Sequence, residues 1–348
     1  MVSGREHEAM SRAIELADRG RTGTLPNPVV GCVLLDPSGH PVGEGWHEQA
    51  GRPHAEVVAL QAAGAAARGA TAVVTLEPCA HMGRTGPCAQ ALVEAGVVRV
   101  VVGVLDPWEP AAGGAAVLRE AGVDVEVGVA ADAVESGNRA WLTAVRRRRP
   151  YVTWKVATSV DGRVAAADGS SRWITGESAR TDVHRLRGEC DTVLAGVGTV
   201  LADDPRLTTR DADGVPLPRQ PLRVVVDSTG RTPGTAHVRD GSARTWIATA
   251  AEVGDDGSGR VNLPQLMDEL FARERRHVLV EGGPTLAGRL VAAGLVDRVV
   301  VYVAPVLLGA GLPALADAGV TTLDAAPRWC VADLTRVGAD VRLTLEPR

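Results

Sequence analysis

Apolar residues recur along this chain in helical and extended registers that alternate, and the alternation predicts an α/β layer fold. Near residues 5–19, Met10, Ala13, Ile14 and Ala17 share one face of an amphipathic helix that Gly20 stops. A loop through Pro26-Asn27-Pro28 leads into an apolar strand, Val29 to Leu35, and Pro37-Ser38-Gly39 turns it into a short strand ending at Gly45-Trp46-His47. An alanine-rich helix from His54 to Gly69, a strand from Thr71 to Leu76, a helix from about Pro87 to Gly96 and a strand from Arg99 to Leu105 follow. Helix 114–121, strand 123–127 and helix 131–145 complete this half. A new strand, Tyr151 to Thr158, opens the second half and ends in the turn Asp161-Gly162. Helix 177–187, strands 192–195 and 224–227, strand 277–280, a helix to Ala293 and strand 298–304 come next. Residues 211–221 and 252–259 read as polar loops, and strands 329–333 and 340–345 close a mixed sheet. There is no internal repeat or low-complexity segment.

The boundary falls at Arg146-Arg147-Arg148-Arg149-Pro150, giving domains 1–146 and 151–348 with a linker at 147–150. The four arginines fit either a phosphate patch or a helix end whose cations oppose the macrodipole. A length of 348 residues agrees with two cores. Hydrophobic content of 45% and charged content of 23% are those of a globular protein. No apolar run approaches the roughly 18 residues that span a bilayer, and no basic segment precedes an apolar one at the N-terminus, so a cytoplasmic, membrane-free protein is expected. Five cysteines, an odd number widely spaced, suit a reducing compartment. Cys32, Cys190 and Cys330 read as small buried hydrophobes. A net charge of −5, one Phe and two Tyr argue against a nucleic-acid partner. Lys155 is the only lysine among 37 lysines and arginines, which marks a place where a guanidinium does not substitute for an ammonium, or a chance survivor.

The chemistry concentrates between His54 and Cys88. His54, Cys79 and Cys88 supply an imidazole and two thiols, a three-ligand set that leaves the fourth position of a tetrahedral Zn2+ open. Glu56, two residues after the histidine, stays outside the shell as a proton carrier, matching the H-x-E…P-C-x-x-C pattern of zinc nucleobase deaminases. Both cysteines follow a proline and His54 opens a helix, so all three are expected at helix starts, where the dipole favours a thiolate. A structural site closed by His81 is the alternative. In the second half, Gly196-Val197-Gly198-Thr199 and the Glu281-to-Gly288 loop each follow an apolar strand and suit phosphate approach, or are plain turns. Neither is G-x-G-x-x-G.

The string His-Ala-Glu-Val-x-Ala-Leu (54–60), with Thr-Leu-Glu-Pro-Cys-x-His-x-Gly-Arg-Thr-x-Pro-Cys (75–88), resembles the bifunctional riboflavin-biosynthesis deaminase/reductase family. The likeness extends through Pro26-Asn27-Pro28 and Gly43-Glu44-Gly45-Trp46-His47. In the second half it continues in Trp154-Lys155-Val156-Ala157, Ser171-Arg172-Trp173-Ile174-Thr175 and the loops at 196–205 and 281–283. It implies a cytidine-deaminase-like N-terminal domain and a dihydrofolate-reductase-like C-terminal domain. The implied substrate is a diaminopyrimidinone carrying a ribosylamino 5′-phosphate, which loses an amine and is then reduced by NADPH from ribosyl to ribityl. The family also implies a homo-oligomer, a dimer or larger.

By the same resemblance the deaminase pocket uses Asn27, His47, His81, Arg84 and Asp106. Cofactor contacts correspond to Ala157, Trp173, Thr199, Asp203, Ser228, Gly283, Pro284, Thr285, Leu286, Ala287, Gly288 and Arg289. Reductase substrate contacts correspond to Ser171, Arg187, Leu207, Arg210 and Glu281. Hydride delivery to a sugar carbon needs an acid, for which Lys155, Asp203 and Glu281 are candidates, Lys155 first. Arg187 and Arg210 suit a substrate phosphate or structural ion pairs. Two departures stand out. Thr85-Gly86-Pro87-Cys88 replaces Thr-Pro-Pro-Cys, and Asp106-Pro107-Trp108 replaces Asp-Pro-Asn. The second leaves room for a related pyrimidine nucleotide as substrate, and a chain with one half turned to a binding role is the remaining alternative.

Overall fold

The computed structural model describes residues 2–81, 86–211 and 213–348, so Arg84 lies outside the described residues. The chain divides into two compact units between Arg147 and Arg148.

In the first unit a five-stranded sheet has β1 (Gly31–Leu35) beside β2 (Pro41–Trp46), then β3 (Thr71–Leu76), β4 (Arg99–Val104) and β5 (Asp124–Val127). β1 runs antiparallel to both neighbours, and β3, β4 and β5 are parallel. Successive strand residues face opposite sides. Val33, Val73 and Val101 therefore join one core with α1 (Gly4–Arg19), whereas Cys32, Leu34, Ala72, Val74, Val100 and Val102 join a second core with α2 (Ala55–Ala63). The second core is completed by α3 (Cys88–Glu94) and α4 (Gly114–Glu120), and the first by residues of α5 (Ala131–Gly137) and α6 (Arg139–Arg147). Of the basic run, Arg146 and Arg147 lie in the last turn of α6, as the helix-end reading expects; Arg146 pairs with Glu135 and Arg149 with Asp297.

The second unit carries an eight-stranded sheet. β6 (Tyr151–Ser159), β7 (Thr192–Gly196), β8 (Leu222–Val226), β9 (Thr245–Ala248), β10 (His277–Val280) and β11 (Arg298–Ala304) are all parallel. β12 (Trp329–Val337) and β13 (Asp340–Pro347) add an antiparallel flank, in the order β12-β13-β11-β6-β10-β7-β8-β9. Alternate strand residues feed two cores. Leu194, Val224 and Val280 pack with α10 (Leu263–Ala272) and α11 (Pro284–Ala292), while Val193, Val225 and Leu279 pack with α8 (Val197–Asp203). Residues of α7 (Glu177–Gly188) lie on Val300 and Tyr302.

Besides α9 (Ala250–Val253) and a three-residue helical turn at His237–Arg239, three elements fall outside the sequence-based expectation. β9 and α8 are short, with four and seven residues, too few for a periodicity to declare itself. The third, α10, does carry a signal: Asn262 caps it, and Leu263, Leu266, Met267 and Leu270 hold helical spacing. One expectation is corrected. Cys330 is exposed, because it lies on the edge strand β12.

Close packing of α2 on β2 depends on a missing side chain. A Cβ at Gly45 would stand 2.3 Å from the Ala55 carbonyl oxygen and 2.5 Å from the Ala59 nitrogen. Gly45→Ala is therefore expected to destabilise the protein by about 1–3 kcal/mol, measured as a lower urea midpoint; an unchanged midpoint would show that α2 moves freely.

Candidate active sites

His54 is the N-cap of α2, Cys79 follows β3, and Cys88 is the first residue of α3. The helix-start expectation thus holds for His54 and Cys88 but not for Cys79, which sits in the loop leaving β3. Placing that thiol at a strand end lets it face a helix start instead of being one. The His54 Nδ1 lies 3.6 Å from Cys79 Sγ and 3.3 Å from Cys88 Sγ. A tetrahedral zinc with Zn–N of about 2.0–2.1 Å and Zn–S of about 2.3 Å has N···S edges of about 3.5 Å, so the donor set fits the ion. Among the described residues His81 stands outside this group, which favours three protein ligands over a closed structural site. His81 Nδ1 is shielded from solvent without a hydrogen-bond partner.

The electrostatics suit a metal and a proton carrier. A hydrogen bond from Cys88 holds the Cys79 thiol down at about 4, and the same contact together with burial pushes Cys88 far up. A cation bound between the two sulfurs competes with the thiol protons. His54 is raised, first by its contact with Cys79. Glu56 is 3% exposed, and burial pushes it up to about 7. His47 is buried and lowered by that burial. Its Nδ1 donates to the Pro53 carbonyl at 3.1 Å, its Nε2 accepts from Asn27 Nδ2 at 3.1 Å, and its ring meets His54 edge-on at 5.3 Å. Asn27 and His47 are thus brought beside the ligand histidine. Asp106 is raised to about 6 by burial, and its Oδ1 accepts from the Trp108 main chain at 2.8 Å. Trp108 packs on Cys79, Cys88 and Ala111. A buried carboxylate that the sequence reading does not single out, Glu77, accepts main-chain N–H groups of Asp106 and Ala115. Its signal is an acid placed directly between an apolar strand and a Pro-Cys step.

In the second unit the candidates gather at the carboxyl ends of parallel strands, the usual ligand edge of an open α/β sheet. Lys155 and Ala157 lie on β6, Thr199 in the first turn of α8 after β7, Ser228 just past β8, and Glu281 directly after β10. Gly283 caps α11, and a Cβ there would stand 3.5 Å from Thr199 Oγ1, so two helix starts converge. Their unused main-chain N–H groups suit an anion such as a cofactor phosphate. Within the 283–289 run the positions differ in what they offer. Gly283, Pro284 and Thr285 reach the surface, Leu286 and Ala287 are buried, and a Cβ at Gly288 would meet the Asp317 carbonyl at 2.5 Å. Gly288 is small because a loop crosses it. Arg289 is held by Asp256 and the Val261 carbonyl.

Glu281 is the centre of a buried ion cluster. Lys155 Nζ donates to it at 3.2 Å, and Arg187 donates through Nε and, at 3.0 Å, Nη2, while Arg187 Nη1 holds the Thr208 carbonyl at 2.8 Å. The three side chains are 8% (Glu281), 16% (Lys155) and 14% (Arg187) exposed. Burial pushes the Glu281 carboxyl up, but the Arg187 and Lys155 charges outweigh it and hold it well below the usual carboxylate range. Two sequence expectations change accordingly. The Arg187 fork is taken by Glu281 instead of standing open to a phosphate, and Glu281 cannot give up a proton it does not carry. Leu207 points its side chain into a core with Val197 and Val200, so only its main chain is open to a ligand. Arg210 lies near Thr208 Oγ1 and the Gly214 carbonyl. Asp203 is engaged elsewhere: its side chain accepts from Ser171 Oγ at 3.5 Å and its carbonyl from Arg172. Trp173 is 69% exposed with Arg180 stacked 4.7 Å from its ring, a flat platform at the surface. Ser228 Oγ accepts from the Val261 main chain.

Two outcomes follow from this geometry. Cys88→Ser should lower bound zinc well below the roughly one equivalent expected of a single three-ligand site; a variant still holding a full equivalent removes Cys88 from the set. Glu281 has a folded pKa below its unfolded value of about 4.3, so its contribution to stability is complete above that pH and is lost as pH falls below it. Glu281→Gln should flatten the acid limb of a stability–pH curve below about pH 4 and weaken the fold at neutral pH, because two buried cations lose their counter-charge. An unaltered acid limb would speak against the ion cluster.

Residues 3–104 match the cytidine and deoxycytidylate deaminase zinc-binding region, and residues 150–343 match the RibD C-terminal domain. The chain is 49% identical to riboflavin biosynthesis protein RibD of Mycobacterium tuberculosis, over 98% of this chain and 97% of the relative. It is 43% identical to the Escherichia coli protein of that name, over 97% and 98%. Among solved structures, Acinetobacter baumannii RibD superposes with a TM-score of 0.88 at 41% identity, covering 99% of each chain. A Thermotoga maritima diaminohydroxyphosphoribosylaminopyrimidine deaminase/5-amino-6-(5-phosphoribosylamino)uracil reductase gives 0.88 at 32% identity, again over 99% of each. No described helix is long and apolar enough to cross a membrane. With a zinc-binding deaminase region and a reductase region in one chain, this protein belongs to the RibD family of bifunctional riboflavin-biosynthesis enzymes.

Proposed function

We propose that the first unit removes an amine from a diaminopyrimidinone bearing a ribosylamino 5′-phosphate, and that the second uses NADPH to reduce the ribosyl group of the product to ribityl. The observation carrying the first half is the three-donor cluster with Glu56 buried two residues from His54. Zinc held by His54, Cys79 and Cys88 would supply Lewis-acid activation of a water. Glu56 takes the proton of the attacking water and returns it to the departing amine, work suited to a carboxyl that burial has raised to about 7. Asn27 fixes the neutral tautomer of His47, which in turn packs on the ligand ring and keeps it in place.

For the second half, the converging starts of α8 and α11 would hold NADPH phosphates, and NADPH would supply the hydride. Lys155 is the proton donor to the opening sugar. Glu281 orients its ammonium, and Arg187 keeps Glu281 ionised. With hydride supplied to the sugar carbon by bound NADPH, the ring carbon–oxygen bond would break and Lys155 would give its proton to the released oxygen.

A coupled assay on the pathway substrate tests the reading: ammonia release should be followed by NADPH oxidation. Ammonia without NADPH consumption would remove the reductase half of the claim. Zinc-loaded protein that releases no ammonia would favour a related pyrimidine nucleotide, the substrate change to which Trp108 points. Glu56→Gln should keep zinc and lower ammonia release by at least about 100-fold; loss of zinc instead would show that Glu56 supports the metal and not the proton transfer.

A further inference from the structure

Glu77 is 6% exposed and lies between β3 and the ligand Cys79. Its main-chain N–H continues the sheet by donating to the Val104 carbonyl at 2.9 Å. Its side chain does something else. Oε2 accepts the Asp106 N–H at 3.0 Å, and Oε1 accepts the Ala115 N–H at 2.9 Å, in the first turn of α4. One carboxylate therefore joins the loop that leaves β3, the loop that leaves β4 and the start of a helix. An amide at this position offers a single acceptor oxygen where two donors converge, which accounts for a carboxyl group at a buried position.

The loop it fixes is the one that reaches the metal cluster. Asp106 Oδ1 takes the Trp108 N–H, the Trp108 carbonyl takes the N–H groups of Ala111 and Ala112, and the Ala111 carbonyl takes the Ala80 N–H at 3.0 Å, next to Cys79. Trp108 packs against the cluster that Cys79 and Cys88 form with Ala111. We propose that Glu77 is a positioning residue of the deaminase site: it sets the wall formed by Asp106 and Trp108 against the Cys79–Cys88 ligand pair, and so governs how the pyrimidine is seated beside the metal. This rests on the deaminase reading given above. Glu77 touches neither the ligand atoms nor the substrate; it acts through the main chain of Asp106.

Glu77→Gln in the full-length, zinc-loaded protein tests the assignment, with three measurements beside the unmodified enzyme: zinc content, deaminase kcat and KM, and turnover of the deaminated product by the reductase unit. The expected result is full zinc, unchanged reductase turnover and a fall in deaminase kcat/KM of roughly 10-fold or more, the size of one lost charge-assisted hydrogen bond, with a raised KM carrying part of it. A pure loss of folded protein lowers kcat alone and leaves KM in place. Wild-type deaminase kinetics in the variant overturn the proposal, as does loss of zinc or of reductase turnover, since Glu77 would then merely hold the fold together. Failure of the unmodified enzyme to release ammonia is a separate result, visible before any variant is made, and overturns the deaminase reading and this proposal together.

Discussion

Bringing two sulfurs to 3.6 and 3.3 Å from one imidazole nitrogen is unfavourable in an apolar interior unless a cation or a shared proton compensates. The architecture of the first unit answers that constraint. His54 is carried on the cap of α2, which lies flush on β2 because Gly45 has no side chain. Cys79 is carried in the loop that leaves β3, and Cys88 is the first residue of α3, where its N–H donates to the Cys79 sulfur and favours a thiolate there. Two helix starts and the loop leaving a strand thus each contribute one donor. Glu56 then needs only its place two residues along α2 to be buried beside them.

The second unit solves a different problem, that of holding a buried ammonium at a fixed point. Lys155 meets Glu281, the residue directly after the neighbouring parallel strand β10, and the bidentate approach of Arg187 keeps the carboxylate charged despite its burial. Under the proposed reductase function this gives a reason for the only lysine in the chain: the ammonium on strand β6 would serve as proton donor, which a guanidinium of fixed plane and very high pKa would not. Arg187 shows the limit of reasoning from residue type. A guanidinium fork matches a phosphate and a carboxylate equally well, and its partner is decided by which is nearer.

Trp108 ties the departure from the family pattern to the chemistry. Sequence marks it as the position where an asparagine is replaced, and the structure puts its side chain against the cluster of Cys79, Cys88 and Ala111. A large aromatic surface lies against that cluster, while Glu77 and Asp106 hold the loop that carries it. Change at this position therefore alters the wall of the site and leaves the ligand set alone.

Periodicity alone placed most strands and helices, because each is amphipathic in a register that a packed layer demands, and the spacing of His54, Glu56, Cys79 and Cys88 declared a metal and a base without coordinates. Short or edge elements were less legible: β9 and α8 are too brief to show a period, and Cys330 looks like a core residue but faces out from an edge strand. What sequence could not decide was pairing across long separations. Lys155, Arg187 and Glu281 stand 94 and 126 residues apart in their contacts, and Glu77 reaches 29 and 38 residues along the chain. Ligand identity is local chemistry and can be read from neighbouring letters; the partner of a charge depends on which strand ends a parallel sheet brings to the same edge, and only the tertiary fold sets that.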